Sequence, residues 1–264
     1  MKTFVVGDIH GRCAQLLALL EMLPRDERKD TLVFIGDLID RGPDVPGCVE
    51  HVIKVCRENP ERVKCLRGNH EQMLLDFIDD ASTVWVTPPT GSDRTFEQYT
   101  GSPLRLDKES DFNKARDLIG QSIPADQIEF FRQMPLYYED GHALYVHAGL
   151  DHGKHPRESS PHALMWTRDM EFYKNYRGKP CVFGHTPTPL LPWRGRWGRH
   201  GIYLFHSAIG IDTGYNLVSP LSCLSLPDFM LYQTFADGNT ATHQITSFIP
   251  ETLKEMQRKA AAVH

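Results

Sequence analysis

Short apolar runs alternate with amphipathic segments through the first third of the chain, and this alternation constrains the fold more than any other feature. The predicted strands are residues 3–7, 31–35 and 63–66, and the predicted helices are residues 14–23, 45–59 and 72–80. A strand followed by a helix and another strand predicts parallel strands, joined by right-handed crossovers and covered by helices. Because parallel strands end at the same sheet edge, we expect the polar segments that follow them to meet there.

The second half of the sequence is rich in strand signals. The further predicted elements are a helix at residues 125–133, strands at 136–139, 143–146, 181–183, 202–205, 221–226 and 230–235, and a terminal helix at 251–262. An Asp140-Gly141-His142 turn joins the first two of these strands into a hairpin. Together the two halves predict an α/β fold in which two mixed β-sheets pack face to face and helices flank them.

The length of 264 residues fits one large domain that covers residues 1–264. Between residues 81 and 123 the regular pattern gives way to proline, glycine and charged residues, with a short helix predicted at 112–119. We interpret this segment as an insertion that forms a cap or lid beside the site.

Composition and charge exclude several classes of function. The chain carries 29 lysines and arginines against 34 acidic residues, a net charge of −5 that disfavours nucleic-acid binding. Its apolar runs, such as residues 16–20, are far shorter than the ~20 residues that span a bilayer, so we expect no membrane segment. The N-terminus enters a predicted strand without an export signal, and six widely spaced cysteines indicate free thiols, so we expect a cytoplasmic protein.

Five strand ends are followed by polar segments that contain glycine. These segments are GDIHG at residues 7–11, GDLIDRG at 36–42, GNHE at 68–71, HAG at 147–149 and GHT at 184–186. Glycine allows the backbone to turn sharply out of a strand, so that a neighbouring polar side chain projects above the sheet edge. The candidate metal ligands are Asp8, His10, Asp37, Asn69, His147 and His185.

This mixture of carboxylate, amide and imidazole ligands favours Mn²⁺, with Fe or Zn²⁺ as alternatives. Six ligands are too many for one metal site that keeps an open position, so we predict two divalent metal ions. Two ions ~3.5–4 Å apart can share one carboxylate and a water, whose pKa falls far enough to give hydroxide at neutral pH. Two carboxylates leave such a pair with about two positive charges, which indicates an anionic substrate such as a phosphate.

Two arginines and one histidine complete the predicted site. Arginine holds phosphate oxygens through two parallel hydrogen bonds, and Arg41 lies in the second of the polar segments. Arg168 is the second candidate, although it could instead form an ion pair with a neighbouring carboxylate on a helix. His70 lies in the third segment, and Asp40 could orient it as a general acid for the leaving oxygen.

Taken in order, the five segments resemble the motifs of the metallophosphoesterase superfamily, and specifically its phosphoprotein phosphatase branch of bacterial and phage-type serine/threonine phosphatases. The resemblance spans residues 7–186 and implies the calcineurin-like sandwich fold. It further implies one metal bound by Asp8 and His10, a second bound by Asn69, His147 and His185, and Asp37 as the bridge between them.

The resemblance also implies roles for the remaining polar residues. His70 resembles the catalytic histidine of the family, Asp40 resembles its orienting partner, and Arg41 and Arg168 resemble the phosphate clamps. The MWTR segment that ends at Arg168 is similar to the block that carries the second arginine, and the IDTG segment at residues 211–214 is similar to a block common in bacterial members.

Three hypotheses of function follow from these motifs. The first is a phosphomonoesterase that hydrolyses phosphoserine or phosphothreonine in proteins, and small phosphate esters, through attack of a hydroxide that bridges the metals. The second is a symmetrical dinucleoside tetraphosphate hydrolase, and the third is a catalytically silent module that binds phosphoproteins. In the family pattern the dinucleotide hydrolases carry alanine in place of Asp40, so the aspartate favours the first hypothesis. The intact ligand set and His70 disfavour the third.

Some of these residues have other interpretations. The aspartates and the asparagine could be turn or helix-cap residues, but caps do not account for three histidines at later strand ends. His206 precedes the IDTG segment and could face the site. Trp193 and Trp197 lie in a basic loop that could stack nucleotides, although a loop with packed indoles is the simpler interpretation.

Overall fold

Two β-sheets pack face to face in the computed structural model of the chain, which describes residues 1–80, 82–192, 201–214 and 216–245 together with Leu253, Lys254 and Arg258. The strands are β1 (Thr3–Val6), β2 (Thr31–Phe34), β3 (Val63–Cys65), β4 (Tyr137–Glu139), β5 (Leu144–Val146), β6 (Cys181–Phe183), β7 (Tyr203–Phe205), β8 (Ala208–Gly210), β9 (Leu221–Leu226), β10 (Met230–Thr234) and β11 (Thr240–Gln244). The helices are α1 (Cys13–Met22), α2 (Val45–Glu58), α3 (Asn69–Asp79), α4 (Ser92–Thr100), α5 (Glu109–Ser122), α6 (Ala125–Gln133), α7 (Pro161–Trp166) and α8 (Met170–Asn175).

Both sheets are mixed, as the sequence predicts. The first has the strand order β11-β10-β9-β1-β2-β3, in which β1, β2 and β3 run parallel and β9 pairs antiparallel with β1. The second has the order β4-β5-β6-β8-β7, in which β5, β6 and β8 run parallel and both edge strands are antiparallel. Each sheet therefore contributes three parallel strands whose carboxyl ends can carry site residues.

The core forms in layers because alternate residues of a strand point to opposite faces of the sheet. Val5 and Val33 face the second sheet and belong to one apolar cluster with Val182 and Ile209. Phe4, next to Val5 in β1, belongs instead to the cluster formed with the helices. All five side chains are fully buried. Strands covered on both faces read as unbroken apolar runs, which is why the sequence predicts them well.

The insertion predicted at residues 81–123 packs against the helical layer of the first sheet. It contains two helices, α4 against α2 and α5 against α3, where the sequence predicts only a short helix at 112–119. Trp85 and Phe96 are buried in the same apolar cluster as the helices. Its backbone also meets the loop after β2, since the Arg41 N–H donates to the Gly91 carbonyl oxygen at 3.0 Å.

Several elements differ from the sequence predictions. Helix α3 begins at Asn69 rather than at residue 72, so the segment predicted as a loop is its first turn. The sequence does not predict five of the elements, namely β8, β11, α4, α7 and α8. Three of them are too short to show a periodic pattern, since β8 has three residues and α7 and α8 have six each, and β11 is a largely polar strand at a sheet edge. Of the predicted terminal helix, Leu253, Lys254 and Arg258 are helical and the other residues lie outside those described, as do Trp193 and Trp197.

All six cysteines are free, and five of them are buried. Within the part of the chain that the structure describes, no helix has the length and apolar character needed to cross a membrane.

Candidate metal centre

All six predicted metal ligands lie where parallel strands end, at one edge of the two sheets. Asp8 and His10 follow β1, Asp37 follows β2, Asn69 follows β3, His147 follows β5 and His185 follows β6. Each of the six side chains is buried. Backbone hydrogen bonds join the first two loops, since the Asp37 carbonyl accepts from the N–H groups of Ile9 and His10. The structure therefore brings the predicted ligands together.

Two clusters of ligand atoms share the Asp37 carboxylate. His10 and His70 form one cluster with Asp37, His147 and His185 form the other, and the ligand atoms within each cluster lie within 4.8 Å of one another. Asp37 Oδ2 lies 3.5 Å from His10 Nε2, and Asp37 Oδ1 lies 3.4 Å from His147 Nε2. One oxygen of the carboxylate faces each cluster, which is the arrangement that a bridging ligand needs.

Lone pairs face one another in the His147 cluster. His147 Nδ1 lies 2.8 Å from the Ile35 carbonyl oxygen and donates its proton there. Burial lowers the pKa of His147, so the ring is neutral and its Nε2 carries a lone pair. That nitrogen lies 2.9 Å from Asn69 Oδ1, which in turn lies 2.8 Å from His185 Nδ1. Because a lone-pair nitrogen and an amide oxygen at this distance repel each other, the pair favours a cation between them.

The His10 cluster presents a lone pair that a guanidinium now contacts. His10 Nδ1 lies 2.8 Å from the Ile39 carbonyl oxygen and donates to it, which leaves Nε2 as an acceptor. Arg41 Nη1 donates to this nitrogen at 2.8 Å, and Arg41 Nη2 lies 3.1 Å from His70 Nε2. Burial and the charge of Arg41 lower the pKa of His10 well below its ordinary value, so its ring is neutral. The cluster therefore attracts positive charge.

Asp8 lies beside the two clusters but belongs to neither of them. Its carboxylate accepts from the His185 backbone N–H, with Oδ2 at 3.0 Å. Burial and the charges of Asp212 and Asp37 raise the pKa of Asp8 well above its ordinary value. Burial likewise raises the pKa of Asp212 to about 6. The sequence predicts Asp8 and His10 as ligands of one metal, whereas the ligand atoms that lie within 4.8 Å of one another in the structure are those of His10, Asp37 and His70. The ligand role of Asp8 stays a prediction.

His70 and Asp40 form the predicted hydrogen-bonded pair. His70 Nδ1 lies 2.6 Å from Asp40 Oδ2, and both side chains are buried. Burial by itself lowers the pKa of His70, but the charge of Asp37 and the hydrogen bond to Asp40 outweigh it, so this pKa is raised overall. Asp40 therefore stabilises the charged form of the ring, and a proton on His70 Nε2 requires the Arg41 guanidinium, now 3.1 Å from that nitrogen, to move away.

The two predicted phosphate clamps differ in their position. Arg41 contacts His10, a predicted ligand, and His70. Arg168 follows α7 and is exposed. Burial of His147 and His185 is the main cause of their lowered pKa values, and the positive charge of Arg168 lowers both pKa values further. Among the described residues Arg168 forms no ion pair, so the alternative interpretation as a helix ion pair has no contact to support it.

Five candidate site residues have a positive φ, a conformation that non-glycine residues rarely adopt. They are His10, Asp37, Asp40, Arg41 and His185, with φ from 48° to 71°. Such conformations cost ~1–3 kcal/mol each and persist only where the surrounding structure fixes them. Their concentration at this sheet edge indicates that the loops are held there for function rather than for stability.

Glu71 holds the Asp37 loop against the start of α3. Its carboxylate accepts from the backbone N–H groups of Asp37 at 3.0 Å, Leu38 at 2.7 Å and Gly68 at 3.0 Å. Gly36 has a φ of 99°, and a Cβ there would lie 2.5 Å from the Gly68 nitrogen. Only glycine permits this approach of the two loops. Burial and the charge of Asp37 raise the pKa of Glu71 to about 7.

The sequence motifs predict no role for Glu71, nor for two residues of the insertion that contact Asp40. These are Trp85, whose Nε1–H donates to the Asp40 carboxylate, and Thr95, whose hydroxyl donates to Asp40 Oδ1. A glutamate directly after His70, within one of the five polar segments, is a usable sequence signal, whereas a tryptophan and a threonine in a polar insertion are not. His206 contacts Arg177 at 3.1 Å and belongs to neither cluster.

The donor set fits a pair of divalent ions. Neutral imidazoles, an amide oxygen and ionised carboxylates are the forms in which these side chains bind metal. His185 Nε2 is buried with no hydrogen-bond partner among the described residues, and an orphaned polar atom of this kind indicates a site that a ligand completes. The buried carboxyls that cluster here also need positive charge to offset their desolvation.

Removal of the Asp37 carboxylate should abolish binding of both ions. Each of its oxygens faces one cluster, so Asp37→Ala removes a ligand from both sites, whereas His147→Ala removes a ligand from only one. Elemental analysis after dialysis against limiting Mn²⁺ should find two ions per chain in the wild type, about one in His147→Ala and none in Asp37→Ala. Wild-type occupancy of both sites in Asp37→Ala would show that the carboxylate does not bridge.

The chain matches the family model of the calcineurin-like phosphoesterases over residues 1–212. It is 45% identical over 84 residues to serine/threonine-protein phosphatase 1 of Salmonella typhimurium, a match that covers 31% of this chain and 36% of that relative. It is 27% identical over 198 residues to the symmetrical bis(5'-nucleosyl)-tetraphosphatase of Pectobacterium atrosepticum, covering 73% of this chain and 59% of that relative. The matches thus span about a third and about three fifths of the length of these two relatives.

A solved structure described as a putative diadenosine tetraphosphatase superposes with a TM-score of 0.58 at 22% identity, covering 92% of both chains. At this identity the likeness shows a shared fold. Because the family model spans all the strands that carry the clusters, the chain belongs to the calcineurin-like phosphoesterase family.

Proposed function

We propose that this phosphoesterase is a phosphomonoesterase that hydrolyses phosphoserine and phosphothreonine in proteins or peptides, with small phosphate esters as further substrates. The observation that carries the proposal is the 2.6 Å hydrogen bond between His70 and Asp40 beside the two ligand clusters. Alkoxide leaving groups such as serine and threonine need a proton as the ester bond breaks. A buried imidazole oriented by a carboxylate can supply it.

The proposed reaction forms one bond and breaks one. A water that has given one proton to solvent attacks phosphorus through its oxygen, the bond from phosphorus to the ester oxygen breaks, and His70 gives its Nε2 proton to that oxygen. A proton from solvent then restores the His70 imidazolium. Arg41 and Arg168 would hold the phosphoryl oxygens, and Asp40 keeps the imidazole in the protonated, correctly turned state. Two divalent ions, Mn²⁺ in our proposal with Fe or Zn²⁺ as alternatives, would supply a nucleophile at neutral pH and offset negative charge on the phosphoryl group.

Those ions would be held by the six predicted ligands, Asp8, His10, Asp37, Asn69, His147 and His185, and not by His70. As part of the same proposal, six free cysteines support a reducing, cytoplasmic location. We propose that neither nucleic acid nor a membrane is a partner, and that the partner is the phosphorylated protein or peptide itself.

A second candidate function is hydrolysis of symmetrical dinucleoside tetraphosphates. It is favoured by the relative of that name, whose match covers 73% of this chain. Against it stands Asp40, the position at which the dinucleotide hydrolases carry alanine in the family pattern. The shorter match to a serine/threonine-protein phosphatase has the higher identity, 45%.

Turnover of three substrates with Mn²⁺ tests the proposal directly. The substrates are a phosphoserine peptide, p-nitrophenyl phosphate and diadenosine tetraphosphate. We expect kcat/KM for the peptide to exceed that for the dinucleotide by about tenfold or more. An enzyme discriminates strongly when the polar groups of its site form hydrogen bonds with one substrate and are left unpaired by the other. A preference for the dinucleotide would overturn the proposal in favour of the second candidate, and tight peptide binding without turnover would favour a silent binding module.

Loss of the His70 imidazole should slow alkyl esters more than aryl esters. His70→Asn should lower kcat on the phosphoserine peptide by ~10²–10⁴, the usual contribution of a positioned general acid. The effect on p-nitrophenyl phosphate should be much smaller, because nitrophenolate leaves without a proton. Metal content should stay at the wild-type value, and His206→Asn serves as the control for an exchanged histidine outside the clusters.

Equal losses on the two esters would remove the general-acid role. A loss of metal in His70→Asn would instead make His70 a ligand, as its position in the His10 cluster allows.

A further inference from the structure

The carboxylate of Asp40 is fully buried and is held by two residues from the insertion between α3 and α6. Trp85 Nε1 lies 3.2 Å from Asp40 Oδ1 and 3.1 Å from Asp40 Oδ2. Thr95 Oγ1 lies 2.6 Å from Asp40 Oδ1. All three side chains have no exposed surface. The insertion therefore reaches the carboxylate that orients His70.

The direction of these hydrogen bonds is fixed by chemistry. An indole N–H can only donate, so the bond from Trp85 requires an acceptor oxygen on Asp40. The Thr95 hydroxyl accepts from the Asp40 backbone N–H at 2.9 Å and gives its single proton to Asp40 Oδ1. Thr95 thus closes a ring with the backbone and the carboxylate of the same residue, and Asp40 Oδ2 accepts from both His70 Nδ1 and the Trp85 N–H.

Asp40 needs such support because its backbone is strained. Asp40 and Arg41 have φ values of 71° and 68°, so two successive L-residues lie in the left-handed region. The insertion contacts this pair along its backbone as well, through the Arg41 N–H to the Gly91 carbonyl oxygen. Gln98 extends the contact by donating to the Gly42 carbonyl oxygen at 2.9 Å.

Trp85 also contacts the helix that carries His70. Its ring lies 5.4 Å from the ring of Phe77, which belongs to α3, and His70 is in the first turn of that helix. One side chain therefore packs on the helix of the imidazole and hydrogen-bonds the carboxylate that orients it. This arrangement fixes both members of the pair relative to each other.

We propose that Trp85 and Thr95 are positioning residues for the proton donor: they hold the Asp40 carboxylate toward His70, and the insertion is thereby part of the phosphate-ester site rather than only a cover over it. The proposal rests on the proposed function, because it assigns these residues to the general-acid step. It predicts that their effect passes entirely through His70.

Three substitutions and one control test the proposal. Trp85→Phe keeps a packed ring and removes the N–H, Thr95→Val keeps the shape and removes the hydroxyl, and Thr95→Ser restores the hydroxyl. Tyr99→Phe is the matched control, because Tyr99 lies in the same insertion and the change removes its 2.7 Å hydrogen bond to Gln127 of α6 without touching Asp40. Melting temperature and metal content are measured for every variant.

We expect Trp85→Phe and Thr95→Val to lower kcat on the phosphoserine peptide about tenfold, since small misplacements of a catalytic group cost rates of this order or more. KM for the peptide should hardly change, and kcat on p-nitrophenyl phosphate should fall much less than kcat on the peptide. Thr95→Ser should recover most of the lost kcat. In a His70→Asn background, Thr95→Val should cause no further loss on the peptide, because the two residues act through one step. Tyr99→Phe should behave as the wild type.

A readout that does not depend on turnover separates this proposal from the proposed function. The His70 Nδ1–H proton can be observed by NMR in protein that contains diamagnetic Zn²⁺. Its chemical shift should change in Thr95→Val and return to the wild-type value in Thr95→Ser. If the peptide is not a substrate, the proposed function fails while this signal still reports on the positioning.

The positioning role is overturned if Thr95→Val leaves the His70 signal and the ratio of the two ester rates unchanged. It is equally overturned if the loss in the double variant is the full product of the single losses. If Trp85→Phe does not fold, the threonine series alone decides.

Discussion

The buried carboxylate of Asp37 is the point on which the rest of the site depends. One oxygen faces His10 and the other faces His147, so the loops of both sheets are arranged around a single side chain. The Asp37 backbone N–H is in turn bound by Glu71, and its carbonyl accepts from the neighbouring loop. Two divalent ions would compensate the buried negative charge here and satisfy the lone pairs that now face each other.

The His70–Asp40 pair, our proposed proton donor, depends on a different part of the chain from the predicted metal ligands. The ligands follow strands whose positions are set by the sandwich, whereas Asp40 is fixed by Trp85 and Thr95 in the insertion. In this account the insertion affects which ester bonds break readily, because it sets the position of Asp40 beside His70.

Much of the fold, and the clustering of the predicted ligands at one end of the sheets, could be predicted from the sequence, because strands buried on both faces read as apolar runs and the ends of five of them are followed by polar residues with a glycine nearby. The α/β class and the two packed mixed sheets are confirmed. Long-range side-chain contacts could not be predicted: Trp85 and Thr95 lie 45 and 55 residues after Asp40, and Glu71 lies 34 residues after Asp37. The positive φ of His10 and Asp37 was equally hidden, since neither residue is glycine. The polar edge strand β11 has no apolar alternation to reveal it.

Diffraction from crystals grown with Mn²⁺, recorded at a wavelength where manganese scatters anomalously, tests the two-ion account most directly. The account predicts two anomalous peaks, one on each side of Asp37, with the Arg41 guanidinium displaced from His10 Nε2, which it now contacts at 2.8 Å. A single peak bound only by His147, His185 and Asn69, with Arg41 still on His10, would contradict it.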